Sequence, residues 1–475
     1  LFSHDTQSSD KLSLVLGKEY TGIIWDGFSG LSPNGLGIAS GLLKRGGLFL
    51  LLLPPLDFLR ANPDQDYARM CSENLNIQDF NTFFLQRLVD KLEHAKDIFI
   101  FQENEDPSFN LVRRPQEASQ QPVQLPTNDQ CAAIDAIKKV AFGHRHRPLV
   151  IQANRGRGKS SALGLAAAEI FLSKKFKTII TAPSKKTCEA AFTHYHSAIK
   201  SIASPSSEEI ASFDAGFEFL PLDFILDNII DCHMLFIDEA AAIPASILNA
   251  LVGRFSRVVY STTIHGYEGN GQGFAIRFKE TLDKHYSQWN SLTLNQPIRW
   301  LESDTLEPWF FRFLLLDARL SDVDKNVIPA LHTMWISQQT LYEDDDLFEQ
   351  IISLLVIAHY QTSPSDIRLI LDHPHVKILI SYANLSTNDA SQRIYGVCLV
   401  IEEGGINSIA LANDIISGKR RPRGQLFPQA LCASSGNADF MHQHTYRVMR
   451  IAVHPAMQQK GIGSTLLGEL KRSAQ

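Results

Sequence analysis

Short, nearly continuous apolar runs separated by amphipathic or polar stretches make up the first two thirds of the chain. Those at 22–25, 48–53 and 97–101 have the composition of strands buried on both faces of a parallel sheet. The same signature recurs at 149–151, 178–181, 234–237 and 258–261, with helical periodicity between the runs. From Pro329 the pattern changes. An amphipathic helix over 347–360 precedes two long strands, 376–383 and 393–402, that the spacing predicts to pair antiparallel around a polar turn at 385–391. A strand over 447–453 and a helix over 465–472 follow. The pattern predicts an α/β protein of three units, at 1–115, 116–328 and 329–475. A polar stretch over 113–126 with Pro115, Pro122 and Pro126 reads as the first linker.

Candidate chemistry gathers where these runs end. After 149–151 the chain reads Ala153-Asn154-Arg155-Gly156-Arg157-Gly158-Lys159-Ser160, and an Ala-rich helical pattern follows. Strand, Gly-rich turn, Lys-Ser and helix is the order that cradles phosphates. Turn N–H groups and the helix N-terminus wrap the anion, Lys159 neutralises the terminal phosphates, and the Ser160 hydroxyl ligates magnesium. Ala153 stands where the motif has its first Gly and is small enough to substitute. A structural Gly-rich turn is the plain alternative, and the carboxylates downstream argue against it. The run 234–237 leads straight into Asp238-Glu239. A carboxylate pair ending a buried strand is costly unless it faces a cation or a polar site. Asp238 is expected to hold magnesium and Glu239 to orient the attacking water; an acidic helix start before Ala240-Ala241-Ala242 is the competing reading. The middle unit is therefore expected to be a P-loop ATPase with Lys159, Asp238 and Glu239 as its catalytic groups and Ser160 and Asp238 at the metal.

Several flanking features fit that expectation. Thr127-Asn128-Asp129-Gln130 has the spacing of a capping box. Helicase-like ATPases also place a Gln here to read adenine, and the two roles are compatible. Lys185 and Lys186 follow the run ending at Ser184 and read either as a sugar-phosphate contact or as a solvated pair. The run closing in Ser261-Thr262-Thr263 resembles the helicase motif that senses the nucleotide state, and 266–273 (GYEGNGQG) reads as a flexible loop beside it. Arg299 is expected to reach the γ-phosphate, with a surface salt bridge as the alternative.

Charge and composition narrow the partners. The net charge of −6 excludes a globally basic nucleic-acid binder, so any RNA surface must be a local patch. The densest basic loop, Gly418 to Gly424, carries Lys419, Arg420, Arg421 and Arg423, either a phosphate-backbone contact or a solvated loop. Six cysteines without a C-x-x-C pair fit a reducing cytoplasm. The longest apolar run, 48–53, is far too short to span a membrane. A cytoplasmic chain with no membrane association and no obligate protein partner is expected. Histidine pairs at 144/146, 194/196, 373/375 and 442/444 lack a metal-ligand pattern and read as incidental. The acidic run 343–346 reads as a helix cap. The sequence opens at Leu1 without Met and stops at Gln475 in mid-pattern, as a piece of a longer protein would.

The last motif supplies the second chemistry. Arg447-Val448-Met449-Arg450-Ile451-Ala452-Val453 is a strand ended by His454-Pro455, and Gln458-Gln459-Lys460-Gly461-Ile462-Gly463-Ser464 enters a helix. Q-x-x-G-x-G at a strand-to-helix junction builds an anion nest that lacks the Lys-Ser of a nucleotide loop. These residues resemble the acetyl-CoA pyrophosphate loop of the GNAT superfamily of N-acetyltransferases. Joined to RGRGKS, FIDEAAAIP and STTIHGYEGNGQGF, they make the chain resemble the bacterial tRNA(Met) cytidine acetyltransferases over essentially its whole length. The resemblance implies an α/β fold with an N-terminal α/β domain, a RecA/helicase-like P-loop ATPase domain and a GNAT domain truncated at its C-terminus. It implies transfer of acetyl from acetyl-CoA to N4 of the wobble cytidine of elongator methionine tRNA, with hydrolysis of ATP or GTP and Mg2+. Carried over by position, the nucleotide site falls on Gln130, Gly156, Arg157, Gly158, Lys159, Ser160, Ser161, Ala162, Leu163, Gly164, Leu165 and Arg299. The acetyl-CoA site falls on Ile451, Ala452, Val453, Gln459, Lys460, Gly461, Ile462, Gly463, Ser464 and Thr465. The family continues past this point, so further acetyl-CoA contacts are expected beyond Gln475. No residue identifies itself as the base. A nucleic-acid translocase with an appended protein-lysine acetyltransferase is the rival reading; a non-catalytic RNA-binding scaffold conflicts with two phosphate-binding loops.

Overall fold

A computed structural model of the chain describes residues 5–15, 18–101, 125–202, 213–264, 271–286, 288–300, 304–326, 329–358, 363–386 and 389–474. All but the last two residues of the expected linker at 113–126 lie outside these ranges. In the N-terminal unit β1 (Tyr20–Asp26) and β2 (Leu43–Leu52) pair in parallel, with Ile24 opposite Leu50 and Asp26 opposite Leu52. The crossover is the helix Pro33–Ser40, capped by Ser32 and with Pro33 in its first turn. The expectation of strands buried on both faces fails here. Trp25, Phe49 and Leu51 face the core, whereas Ile24 and Leu48 are 71% and 67% exposed. The expected third strand at 97–101 is irregular: Ile98 packs on the core while Phe99 and Phe101 stay exposed. An apolar run becomes a strand only where a sheet edge takes up its backbone groups, and this run joins none of the described sheets.

The central sheet has six parallel strands: β3 (Leu149–Ala153), β4 (Thr178–Thr181), β5 (Phe217–Phe219), β6 (Met234–Ile237), β7 (Val258–Thr263) and β8 (Asn290–Leu294). Their spatial order is β5-β4-β6-β7-β3-β8. Every residue of β4, β6 and β7 is buried, which is why their sequences are unbroken apolar or hydroxyl runs. Because β3 sits between β7 and β8, the ends of β6, β7 and β3 lie side by side. A crevice at the carboxyl ends of such a sheet is where α/β folds place ligands. One correction falls nearby. Gly271 to Gly273, read as loop, open the helix Gly271–His285, and 266–270 lie outside the described residues.

The third sheet is antiparallel, in the order β12-β11-β10-β9: β9 (His332–Ile336), β10 (Val376–Ser386), β11 (Asp389–Glu403) and β12 (Thr445–Val453). The helix Ile462–Ser473 packs across β10 and β11, and Gly396 of β11 gives it room. A Cβ there would stand 2.9 Å from Ile462 and 3.0 Å from Leu466.

The N-terminal unit is not a separate ball. Trp25, Leu36, Tyr67, Phe84 and Leu88 share one apolar cluster with Phe310 and Phe313, with Phe348 and Ile351 of the helix Asp345–Ala358, and with Ile370 and Leu371 of the helix Pro364–Asp372. A buried polar knot crosses the same boundary. The Arg368 guanidinium lies 4.5 Å from the ring centroids of both Tyr67 and Phe84 and donates to Asp66 at 2.8 Å and to the Leu31 carbonyl at 2.7 Å. Beside it Tyr67 donates to Asp372 at 2.6 Å.

Candidate functional site

Between Ala153 and Lys159 the chain reverses through Gly156 (φ 71°) and Gly158 (φ 76°), where side chains are disfavoured on backbone grounds alone. Space forbids them too. A Cβ on Gly158 would come within 2.3 Å of Ile298 and 2.5 Å of Gln130 Nε2, and one on Gly156 within 2.5 Å of Trp300. The helix Lys159–Lys174 starts immediately, so its first N–H groups line the turn. Lys159 is buried and its Nζ donates to Thr263 Oγ1 at 3.0 Å. Thr263 in turn donates to the Glu239 carboxylate at 3.0 Å. Ser160 Oγ donates to Asp238 Oδ2 at 2.7 Å. Sequence positions 159–160, 238–239 and 263 thus meet at the adjoining ends of β3, β6 and β7.

Burial dominates the electrostatics. It holds the Lys159 ammonium below the ordinary lysine range, with Glu239 and Asp238 opposing. It pushes Asp238 above the ordinary carboxylate range, reinforced by Glu239 and opposed by Ser160 and Lys159. Both charges are therefore disfavoured as they stand and would be favoured by counter-charges. The donor set suits a polyphosphate against Lys159 and the loop N–H groups. Ser160 Oγ and Asp238 Oδ2, adjacent hard oxygens, suit magnesium, which takes one or two carboxylates together with phosphate oxygens. Glu239 sits at φ 49°, a left-handed conformation rare for Glu and of the kind that clusters at functional sites.

The other expected nucleotide contacts divide. Gln130 caps the helix, its Oε1 accepting from the Thr127 N–H at 3.0 Å, and its Nε2 donates to the Gly158 carbonyl at 3.2 Å, which ties the helix start to the loop. Arg157 is taken up in a buried bidentate pair with Glu307, at 2.6 and 3.1 Å, over the Trp300 ring. Arg299 donates to Glu19 at 3.2 Å and to the Gly41 carbonyl at 2.5 Å, both in the N-terminal unit. Ser161 is half-buried, and Ala162 and Leu163 are core residues with Leu165 packed against them. Gly164 lies under the Ala191 carbonyl, which a Cβ would approach to 2.0 Å. Sequence reading missed Glu307 and Trp300, which have no local signature and act from far along the chain.

The second candidate site is built on β12. Ile451, Ala452 and Val453 pair with Cys398, Val397 and Gly396 of β11, leaving the other edge of β12 unpaired among the described strands. Between Arg450 and Val448 the register skips Met449, a bulge that the sequence did not reveal. Bulges re-aim strands and recur beside active sites. His454 ends the strand, its Nδ1 accepting from the Ala456 N–H at 3.2 Å and its ring anchored on the Ser321 carbonyl at 3.0 Å. The turn then passes through Gln459 (φ 63°) and Gly461 (φ 84°) into the helix that begins at Ile462. Lys460 bonds the Lys325 carbonyl, and Thr465 Oγ1 returns to the Gly461 carbonyl at 3.2 Å. Gly463 and Ser464 lie in the helix's first turn, so the loop is a nest of N–H groups at a helix N-terminus. Arg450 is fixed by Asp366 at 2.8 Å.

The basic loop lies near the other end of this sheet, where Gln425 Oε1 accepts from the Gly404 N–H at 2.6 Å. Lys419, Arg421 and Arg423 are exposed, whereas Arg420 pairs with Glu73 of the N-terminal unit at 2.5 Å.

Comparison with known proteins finds a match for each of the three units. Three family models match in order: the N-terminal region of tRNA(Met) cytidine acetyltransferase TmcA over 3–103, the helicase domain of RNA cytidine acetyltransferase NAT10/TcmA over 150–317, and GNAT acetyltransferase 2 over 350–475. The tRNA(Met) cytidine acetyltransferase TmcA of Nitrosococcus halophilus is 36% identical over 468 residues, covering 96% of this chain and 61% of that protein. The Vibrio cholerae protein of the same name is 38% identical over 340 residues, 71% of this chain and 47% of that one. The chain thus spans less than two thirds of the length of either relative. Among solved structures, Pif1 helicase from Candida albicans aligns at 11% identity over 68% of this chain and 78% of that one, with a TM-score of 0.25, too low to bear on the fold. The three matches in series, with 36% identity across nearly the whole of its length, make the chain similar throughout to the tRNA(Met) cytidine acetyltransferases.

Proposed function

We propose that the chain is the ATPase-and-transferase part of an enzyme that moves acetyl from acetyl-CoA to N4 of the wobble cytidine of elongator methionine tRNA, driven by ATP or GTP. One observation carries the reading. A Lys159–Thr263–Glu239 and Ser160–Asp238 constellation shares a chain with an edge strand that runs into the Gln459–Thr465 nest. In the first site Lys159 offsets charge on the terminal phosphates, Ser160 and Asp238 would hold Mg2+, and Glu239 orients water. When bound, that ion supplies charge neutralisation on the phosphates. In the second site the nest N–H groups of 461–465 bind the pyrophosphate, and the free edge at Ile451–Val453 lines up the pantetheine arm.

Transfer forms a C–N bond from cytidine N4 to the thioester carbonyl carbon, expels CoA sulfur, and releases one N4 proton. The N4 lone pair is delocalised into the ring, so alignment and polarisation of the carbonyl must supply most of the acceleration. The bulge at Met449 frees backbone groups beside the thioester's path for that polarisation. Hydrolysis adds no atom to the product; its use is to free the base from the anticodon stack. The exposed cations Lys419, Arg421 and Arg423 serve the tRNA backbone. The test is to incubate the chain with tRNA, acetyl-CoA and ATP and to digest the RNA for mass spectrometry. N4-acetylcytidine at the wobble position supports the reading; acetyl-lysine in protein with unmodified RNA would replace it by a protein acetyltransferase.

A further inference from the structure

The far edge of the six-stranded sheet, where its strands begin, carries a feature that the proposed chemistry does not use. Phe176 and Lys177 precede β4, His233 precedes β6, Arg254 and Arg257 precede β7, Arg145 and Arg147 precede β3, and Lys284 and Tyr286 precede β8. In the order β4-β6-β7-β3-β8 these groups are consecutive. Four inter-strand gaps of about 4.8 Å make the row about 19 Å long. The His146 N–H donates to the Ser256 carbonyl at 2.7 Å, and an Arg257 Nη donates to the Gly143 carbonyl at 3.3 Å, so the 143–147 turn is pinned against the 254–257 turn.

Arg145, Arg147, Arg254 and Lys284 are exposed, and among the described residues none of them forms an ion pair. The neighbouring carboxylates are otherwise engaged or few: Glu218 pairs with Lys177 at 3.1 Å, Asp283 accepts from Trp289 at 2.8 Å, and Asp231 stands beside His233. Helix dipoles account for Lys284, in the last turn of Gly271–His285. They do not account for Arg145 and Arg147, which lie on a turn. Rings interleave with the charges. His233 stacks on Phe176 at 4.5 Å and 11°, His146 on Tyr286 at 6.4 Å and 13°, and Phe142, 44% exposed, lies 6.0 Å from Phe176.

We propose that this edge is a second RNA contact, binding an unpaired stretch of the RNA substrate on the face of the ATPase opposite Lys159. Guanidinium forks take phosphates, and planar rings offer surfaces on which bases stack. Cations alternating with flat rings match the alternation of phosphate and base along an unpaired strand, which favours RNA over an acidic protein or a lipid surface. The inference rests on the RNA-acting reading above.

The test uses the full chain and fluorescent tRNA in salt titrations. Arg145→Ala/Arg147→Ala/Lys284→Ala should lower the log–log salt slope by about 2, since each lost phosphate contact removes about 0.7–0.9. Affinity at low salt should fall about tenfold or more, while RNA-free ATP hydrolysis and acetyl-CoA binding stay at wild-type levels. His146→Asn keeps a residue that tolerates the left-handed turn but removes the ring; it should weaken binding with little change of slope. An unchanged slope in the triple variant, with wild type binding tRNA normally, overturns the proposal. So does loss of binding to phosphatidylserine vesicles or polyglutamate without loss on tRNA. A wild-type chain that binds no tRNA overturns the RNA-acting reading itself and this inference with it.

Discussion

Lys159 and Asp238 show how one cause, burial, acts oppositely on the two signs of charge and leaves both groups waiting for a counter-charge. Lys159→Ala is expected to abolish ATP hydrolysis while acetyl-CoA binding persists, because the two loops belong to different sheets. Glu239→Gln is expected to bind ATP and fail to turn it over. Phosphate release and calorimetric titration separate these outcomes. A second pair of buried groups makes a sharper test of the electrostatics. Burial raises Asp372 from 3.8 to about 7 and lowers its neighbour His373 from 6.5 to about 4. For Asp372 the folded state keeps a proton that the unfolded chain has lost, so its contribution is full below pH 3.8 and fades as pH rises through 7. For His373 the unfolded chain holds the extra proton, so its contribution is full above 6.5 and fades as pH falls through 4. The two slopes cancel over most of that window in the wild type. Relative to wild type, Asp372→Asn should gain stability as pH rises from 4 to 7 by about 1.4 kcal/mol per pH unit, and His373→Gln should lose it by a similar slope up to 6.5. Denaturant midpoints across pH measure both, and parallel curves for all three proteins would refute the assignment.

At the scale of elements, the phosphate loop is held from outside as well as by its own glycines. Arg157 and Glu307 form a bidentate pair with about 10% of each side chain exposed, tying the loop to the first turn of the helix Leu306–Phe313. Removing one partner of a buried pair costs about 3–5 kcal/mol because the other charge is stranded, whereas an apolar pair of similar volume is often tolerated. Glu307→Ala should therefore destabilise strongly and slow ATP hydrolysis. Arg157→Met/Glu307→Leu should recover most of the stability in thermal melts; equal damage by both would show that the charges themselves are required. The loop also shows what the sequence could and could not convey. Strand β3, the turn, and the Lys-Ser and Asp-Glu motifs are local patterns, legible because backbone geometry and phosphate chemistry demand those residues at that spacing. Glu307, Trp300 and the redirection of Arg299 to Glu19 depend on elements brought together from distant positions and leave no local trace. The failed strand at 97–101 has the same cause, since an apolar run becomes a strand only when a neighbour completes the ladder. The bulge at Met449 is a register event between two strands, invisible in either one alone.

Over the whole molecule, the boundary that the sequence drew after residue 115 does not coincide with a boundary in the core. The first hundred residues and the sheet carrying β12 are packed into one cluster. The link reaches β12 in three steps: Asp64 and Asp66 hold Arg368, Arg368 lies on the helix Pro364–Asp372, and Asp366 of that helix fixes Arg450, next to Ile451. Deleting residues 1–103 should therefore do more than remove a module. It would bare Phe348, Ile351 and Leu371 to water, and each large side chain so exposed forfeits roughly 1.5–3 kcal/mol. It would also leave Arg368 and Asp372 without Tyr67, Asp64 and Asp66. The central sheet rests on two clusters of its own, so its fold should survive. The shortened chain is expected to lose acetyl-CoA binding in calorimetry and to be cut first by protease within 329–474, while residues 125–300 resist. Wild-type acetyl-CoA affinity in that chain would mean that the transferase sheet stands without the N-terminal unit, and that Arg368 merely decorates a contact between independent bodies.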